Sequence, residues 1–174
     1  AFGGLAIGMT EFTMMGILPD IAKNIHIDIP TASNLIGLYA LGVVVGAPTL
    51  VVATSKYPAK QVLLFLMFLF FVFNALFTLA PNTWSLFVAR FTSGLPHGAF
   101  FGIGSVVAAK LAKPGKEAQS ISIMFTGMTI ANLIGVPLGT YIGHVFDWRI
   151  TYGFISLLGL VTCVAIYFWM PDIP

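Results

Sequence analysis

Two ionisable side chains in this sequence lie where charge is costly. Glu11 and Arg90 sit in the middle of long apolar stretches, whereas the other acidic and basic residues fall in or beside the short segments between those stretches. An ionised group in hydrocarbon costs at least about 2.5–3.5 kcal/mol, and intramembrane charges usually mark an ion or substrate path. The pattern therefore predicts that Glu11 and Arg90 belong to an ion or substrate path, with Glu11 as the proton-coupling group.

The two charges are predicted to lie at similar depth. Glu11 precedes Asp20 by nine residues, roughly 13 Å along a helix, and Arg90 follows Asn82 by eight residues, roughly 12 Å. Direct pairing, or a wet cavity around both, would lower the cost of burying them. A purely structural ion pair is the alternative interpretation of Glu11, and the sequence leaves it open.

Four uncharged side chains at mid-depth are candidates to line a substrate path. His97 can titrate or contact a ligand, and the amide of Asn132 can hydrogen-bond a hydroxyl group. Tyr39 is a weaker candidate of the same polar type, and the thioether of Met14 could adapt to varied ligands. A packing role is the alternative for each of the four, and it is slightly favoured for Asn132.

Long apolar runs must position these residues. The chain is 58% hydrophobic and 8% charged, with a mean hydropathy of +0.97, against about 25% charged residues in an ordinary soluble domain. Runs of about 20 apolar residues are long enough to cross a membrane as helices. The sequence therefore predicts an all-α membrane protein with six transmembrane spans. They cover residues 1–22, 32–54, 62–80, 84–110, 118–143 and 150–170.

The basic residues predict an orientation. With six spans, the loops after spans 2 and 4 lie on the same side as the termini. Those two loops hold Lys56, Lys60, Lys110, Lys113 and Lys116, whereas the other side holds only Lys23 and Arg149. Because positive charge stays cytoplasmic, we expect both termini in the cytoplasm. The net charge of +2 is thereby explained without a nucleic-acid partner.

Small residues divide the predicted spans into two kinds. Spans 4 and 5 carry small residues at four-residue spacing, which lets helix backbones approach closely. The residues in question are Gly94, Gly98 and Gly102 in span 4, and Gly127, Gly135 and Gly139 with Pro137 in span 5. Span 3 has no glycine and is rich in phenylalanine, including Phe70. We therefore expect spans 1, 2, 4 and 5 to face a cavity, and spans 3 and 6 to face lipid.

Three motifs in order resemble those of the Major Facilitator Superfamily. The matching segments are Leu18–Ala22, Arg90–Gly102 and Gly135–Gly139, and the second is especially similar to arabinose efflux permeases of that family. Ala131 and Thr140 stand where glycine is common in the third motif. The resemblance covers the whole chain and implies the N-terminal six-helix half of a transporter, built from two three-helix repeats. It also implies a proton-coupling role for the span-4 arginine.

The loop between spans 2 and 3 departs from the family pattern. Ser55 stands where the family usually has an acid, and Pro58 where it has a glycine, although Lys56 and Lys60 keep the basic character. The charge contact that usually locks the two halves of the family together is therefore in doubt here. The first residue is not Met and lies in an apolar run, so we expect the chain to be an excerpt of a longer one.

Together these features predict a secondary transporter in a bacterial inner membrane. The expected activity is proton-coupled efflux of sugars or small amphipathic molecules by alternating access, with a second six-helix half in the same chain or in an oligomer. The alternatives are a non-transporting membrane scaffold or sensor, and a homodimeric half-transporter. No phosphate-cradling loop, zinc helix or nucleophile elbow is present, so we expect neither a cofactor nor a metal nor enzyme activity.

Overall fold

The computed structural model describes residues 2–170, and nearly all of them are helical. Ala1, where the first predicted span begins, and residues 171–174 lie outside the described residues. The helices are α1 (Phe2–Ile25), α2 (Ile29–Ala32), α3 (Asn34–Ala53), α4 (Ala59–Leu79), α5 (Thr83–Leu111), α6 (Glu117–Ile130), α7 (Val136–Val145) and α8 (Trp148–Trp169). A π-helical turn, Ala131–Gly135, joins α6 directly to α7.

Six long helical segments run through the described part of the chain. Five are long and apolar enough to cross a membrane: Gly3–Ile25, Ile29–Ala53, Ala59–Leu79, Glu117–Val145 and Trp148–Trp169. The sixth, α5, has 29 residues and is about 43 Å long, but its glycines and polar residues lower its hydropathy. The predicted all-α bundle of membrane-spanning length is confirmed.

Local sequence sets where several helices begin and end. Asn82 and Asp147 lie just before α5 and α8, and their side chains accept hydrogen bonds from the backbone N–H groups of Ser85 and Arg149. His26 ends α1 in a left-handed conformation with φ of 63°, and the Ile27 N–H closes the turn by donating to the Ala22 carbonyl. These residues fix the C-terminal end of α1 and the N-terminal ends of α5 and α8.

Helix α1 lies at the centre of the bundle. It packs against α6, α7 and α8, while α3 packs on α5, and α4 packs on α5 and α8. In the most apolar stretch of α1, 61% of residues are buried, against 22% for α2–α3 and 17% for α6–α7. Most of α3 and α6–α7 is therefore left uncovered by the rest of this chain, whereas α1, which was also expected to face a cavity, is the most buried of these segments.

The glycines of α3 and α5 form a seam in which backbone meets backbone. A Cβ atom at Gly94 would fall on the carbonyl oxygen of Tyr39, and one at Gly42 or Gly46 would fall on the carbonyl oxygen of Phe91 or Leu95. A Cβ at Gly98 would lie 2.6 Å from that of Ala47. Close approach thus explains Gly94 and Gly98, the first two members of the predicted stripe.

Gly102 does not belong to this seam, because a Cβ there would meet nothing within 4 Å. The glycines of predicted span 5 instead pack against α1. A Cβ at Gly135 would lie 2.8 Å from the Met9 Cγ, and Gly139 faces Thr13 and Thr151. The Cα of Gly127 would lie 3.5 Å from a Cβ at Gly4. The four-residue spacing of glycines therefore identified two faces that pack closely, but in span 4 it also included Gly102, one turn beyond the close contact.

Pro137 accounts for the π-helical turn. Proline has no N–H to donate to the carbonyl four residues earlier, and its ring crowds that carbonyl. The helix widens over Ala131–Gly135, and α7 then begins at Val136 with Pro137 in its first turn. The turn carries Asn132, whose exposed side chain donates from Nδ2 to the Met128 carbonyl at 3.1 Å.

Helix α4 is only partly a lipid-facing helix. Phe65 and Phe68 are exposed, but Phe70 and Phe77 are fully buried, so the expectation that Phe70 faces lipid is wrong. Phe70 packs against Gly159 of α8, where a Cβ would lie 2.6 Å from its ring. The sequence prediction treated a phenylalanine-rich helix as uniform around its axis, although α4 packs on both α5 and α8.

We expect Gly46→Ala to destabilise the protein and Gly102→Ala to leave it intact. The added methyl group at position 46 meets a backbone carbonyl that cannot move aside, and overpacking of this kind costs about 1–3 kcal/mol. Thermal unfolding of both variants in the same detergent measures the difference. Equal stability of the two variants would contradict the backbone seam between α3 and α5.

Candidate functional site

Arg90 is the centre of a buried polar cluster. Its side chain is 1% exposed, and all three guanidinium nitrogens donate hydrogen bonds. Nε donates to the Leu35 carbonyl at 3.2 Å, and the two terminal nitrogens donate to Oγ1 and the carbonyl oxygen of Thr10 at 3.0 and 2.8 Å. Through one side chain, α5 is therefore bonded to α3 and α1.

Aromatic rings enclose the guanidinium group. Its Cζ lies 4.2 Å from the centre of the Tyr39 ring, and 5.8 and 5.9 Å from the rings of Tyr152 and Phe77. A cation over the face of an aromatic ring is attracted by the ring's quadrupole, and the more strongly when it is desolvated. The rings belong to α3, α8 and α4. Together with its own helix, α5, and the hydrogen bonds to Thr10 on α1, the Arg90 side chain therefore brings five helices into contact.

The Thr10 hydroxyl connects Arg90 to α4 through two hydrogen bonds. The hydroxyl of Thr10 accepts from Arg90 and donates to Asn74 Oδ1 at 2.7 Å. Asn74 Nδ2 donates to the Phe70 carbonyl at 2.9 Å, and both Thr10 and Asn74 are fully buried. The hydroxyl of Tyr152 also donates to the Thr10 carbonyl, at 3.2 Å. Every polar atom of this chain of bonds has a partner, which is what burial requires.

Glu11 and Arg90 do not pair directly. Among residues 2–170, no carboxylate oxygen lies within 4 Å of an Arg90 nitrogen, and Arg90 bonds instead to Thr10, the residue before Glu11. The Glu11 side chain is 32% exposed. Arg90 is thus buried in the core, whereas Glu11 lies at its edge.

The neighbour of Glu11 is His97. Glu11 Oε2 lies 3.8 Å from His97 Nδ1, and the same nitrogen lies 3.0 Å from the hydroxyl oxygen of Tyr39. The imidazole is 14% exposed and packs against Phe101 with 5.3 Å between ring centres. The order of the side chains in space is therefore Glu11, His97, Tyr39 and Arg90. The carboxyl group of Glu11 is the most exposed of the four. Such an arrangement can take up and release a proton at Glu11.

The other predicted site residues occupy different surroundings. Met14 is fully buried in the hydrophobic core, and Tyr39 is 2% exposed beneath Arg90. Asn132 is exposed on the uncovered side of the π-helical turn. The structure thus joins His97 and Tyr39 to Glu11, and it leaves Asn132 apart from them.

Sequence reasoning gave too little weight to Thr10 and Asn74. Thr10 adjoins the intramembrane acid, and Asn74 is the one amide within the phenylalanine-rich third span, so both signals were present in the sequence. Neither residue type is unusual in a membrane helix, which is why spacing alone did not single them out. No group of three metal-ligating side chains occurs within the described stretch of the chain.

Thr10→Val should destabilise the protein by about 1–3 kcal/mol, because it leaves a buried Arg90 N–H and the side-chain oxygen Oδ1 of Asn74 without partners. Valine has nearly the same shape, so packing changes little. Thr49→Val is the matched control, since the exposed Thr49 hydroxyl bonds only to Val45 in its own helix. Chemical or thermal unfolding compares the two variants, and an equal effect of both would refute the proposed importance of the buried network.

Comparison with known proteins agrees with this architecture. A sequence profile described as "Major Facilitator Superfamily" matches residues 1–174. The "Putative transporter AraJ" of Escherichia coli (strain K12) is 47% identical over 173 residues, and the "Inner membrane transport protein YdhP" of the same strain is 42% identical over 171. Those alignments cover 99% and 98% of this chain and 44% of each relative.

A relative of lower sequence identity is named after a class of substrate. The "Probable sugar efflux transporter" of Helicobacter pylori (strain ATCC 700392 / 26695) is 34% identical over 167 residues. That alignment covers 95% of this chain and 42% of the relative. The chain therefore spans less than half the length of the curated relatives it matches.

Proposed function

Because the chain belongs to the Major Facilitator Superfamily, we propose that it forms one six-helix half of a proton-coupled secondary transporter. It is an integral membrane protein, and its family is one of transporters of small molecules across a lipid bilayer. The observation that carries the proposal is the half-exposed carboxyl group of Glu11 beside His97, with the buried charge of Arg90 behind Tyr39. In this proposal Glu11 binds the proton, and Arg90 supplies a fixed positive charge nearby.

Sugars or small amphipathic molecules are the proposed substrates, moved outward by alternating access. Support comes from the relative named as a sugar efflux transporter, which shares 34% identity with this chain. His97 and Asn132 are the proposed substrate contacts, because both combine polar atoms with exposure toward the uncovered side. Met14 and Tyr39 instead serve packing, given their burial.

A second six-helix half is proposed to cover the open side. Helices α3 and α6–α7 leave large apolar side chains exposed, including Val44, Leu133 and Ile134 at 69%, 72% and 63%. The matched relatives are more than twice as long as the aligned region, which leaves room for a further half in the same chain. We propose the bacterial inner membrane as the location, with both termini cytoplasmic, from the lysine distribution.

Flux in proteoliposomes tests this function. The full-length protein containing this chain is reconstituted, a pH gradient is imposed, and the movement of labelled monosaccharides is followed. We expect sugar to move against its own gradient while protons move the other way, and to stop doing so when an ionophore collapses the gradient. No gradient-dependent movement of any monosaccharide or amphipathic probe would favour the alternative function, a membrane scaffold or sensor.

A further inference from the structure

We propose that His97 is the direct partner of the ionised Glu11 carboxylate, and that its Nδ1 atom exchanges between Tyr39 and Glu11. His97 is then a positioning residue for the proton site, while Arg90 holds Tyr39 in place. The exchange itself follows from the geometry around one nitrogen atom. Its part in coupling rests on the proposed function.

One ring nitrogen faces two polar neighbours. His97 Nδ1 lies 3.0 Å from the Tyr39 hydroxyl oxygen, a hydrogen-bond distance, and 3.8 Å from Glu11 Oε2, which is too long for a hydrogen bond. A ring nitrogen carries either a lone pair or a hydrogen. With a lone pair it accepts the Tyr39 O–H, and with a hydrogen it can donate to the carboxylate. The 3.0 Å distance to Tyr39 matches a hydrogen bond in either direction, and we assign the first arrangement to the resting state.

The surroundings leave the imidazole as the mobile partner. Tyr39 is 2% exposed, and its ring is held 4.2 Å from the guanidinium of Arg90, which is itself bonded to α1 and α3. Across the residues that the structure describes, no charged group lies within hydrogen-bond distance of the His97 ring. The ring packs against those of Phe101 and Tyr39, and His97 follows Pro96, where the helix lacks a backbone N–H. The charged and titratable groups that face it are Glu11 on α1 and Tyr39 on α3, and Arg90 on its own helix lies against the Tyr39 ring.

The exchange is a balanced proton transfer. The proton leaves Glu11, its O–H electron pair stays on the carboxylate, and the lone pair of His97 Nδ1 forms the new N–H bond. The imidazolium then donates to the carboxylate, and the two atoms close by about 1 Å to the 2.7–2.9 Å typical of a charged hydrogen bond. Arg90 does not take this role, because its guanidinium is held by Leu35 and Thr10 and no Glu11 oxygen lies within 4 Å of it. Glu11 thereby keeps a partner after it has passed its proton to His97.

Nitrogen-15 NMR of the histidine-labelled full-length protein in liposomes tests the exchange. The His97 signals are assigned by their loss in His97→Gln, or in His97→Asn if the glutamine variant does not fold. In the wild type at alkaline pH, where the Glu11–His97 pair has released its proton, we expect Nδ1 to carry no hydrogen, because it accepts from Tyr39. As the pH falls and the pair takes up one proton, Nδ1 should gain a hydrogen that it donates to Glu11. Tyr39→Phe removes that donor, so Nδ1 should then carry a hydrogen donated toward Glu11. Tyr141→Phe, on the exposed surface of α7, is the control and should leave the His97 signals unchanged.

Two results would overturn the inference. One is an Nδ1 that keeps the same protonation in Tyr39→Phe as in the wild type. The other is a His97 signal that titrates identically in the wild type and in Glu11→Gln. Proton-driven flux is measured in parallel to separate the two proposals. If Nδ1 exchanges but the wild type shows no proton-driven flux, the proposed function fails and the exchange stands. If flux is proton-driven without exchange, the inference fails alone.

Discussion

Arg90→Ala should prevent the chain from folding into a stable bundle. The substitution removes three hydrogen bonds from a charged donor and the cation–ring contacts with Tyr39, Phe77 and Tyr152, and it leaves a cavity where five helices meet. Losses of this kind amount to on the order of 3–5 kcal/mol, a large share of the stability of a typical domain. Size-exclusion chromatography and thermal unfolding in detergent measure the loss of folded protein.

Two variants calibrate this result. Arg90→Lys keeps the charge but has a single nitrogen, which cannot reach both Thr10 on α1 and Leu35 on α3 as the guanidinium does, so it should be intermediate. Arg149→Ala is the matched arginine control, because Arg149 is half-buried and donates one side-chain hydrogen bond, to the Thr78 carbonyl. If Arg90→Ala is as stable as Arg149→Ala, Arg90 does not organise the bundle.

Glu11→Gln should abolish proton-driven flux while leaving substrate binding measurable. Glutamine keeps the shape of the side chain and its capacity for hydrogen bonds but cannot release a proton. The carboxyl group is at the edge of the core and 32% exposed, so the exchange should leave folding intact. Proton-driven flux is measured as sugar movement in proteoliposomes with and without a pH gradient. Substrate binding is measured separately with the same sugar.

The matched control for this variant is Glu117→Gln. Glu117 is exposed in the first turn of α6, where the same chemical change removes a surface charge far along the chain from the site. We expect proton-driven flux of the wild-type size from this control. Undiminished antiport by Glu11→Gln, at equal expression, would remove Glu11 from the mechanism.

The membrane class and the faces of the helices were predictable from the sequence, because both depend on local composition. Apolar runs of about 20 residues fix the number of spans, and four-residue spacing fixes which residues share a helix face. The predicted close approach at Gly94 and Gly98 followed from this spacing alone and agrees with the structure. Gly102 has the same spacing, but a Cβ there would meet nothing within 4 Å, and the end of a close contact between two helices has no local signal.

The partners within the site could not be predicted in the same way. Depth along a helix follows from residue counts, so Glu11 and Arg90 were placed at similar heights. Rotation about the helix axis and the crossing of neighbouring helices decide which side chains touch. These put Thr10 rather than Glu11 on Arg90, and His97 beside Glu11. Phe70 shows the same limitation, since one face of α4 is buried by α8 and another is open.

The backbone seam between α3 and α5 restricts which pairs of substitutions can compensate one another. At Gly42, Gly46 and Gly94 the facing atoms are carbonyl oxygens, so no second substitution can make room for a larger residue. Gly98 differs, because it faces the Cβ of Ala47, and the next atom of that residue is 3.6 Å away. Gly98→Ala combined with Ala47→Gly simply moves a methyl group across the interface. In a library of paired variants this position can be rescued, whereas the other three remain glycine.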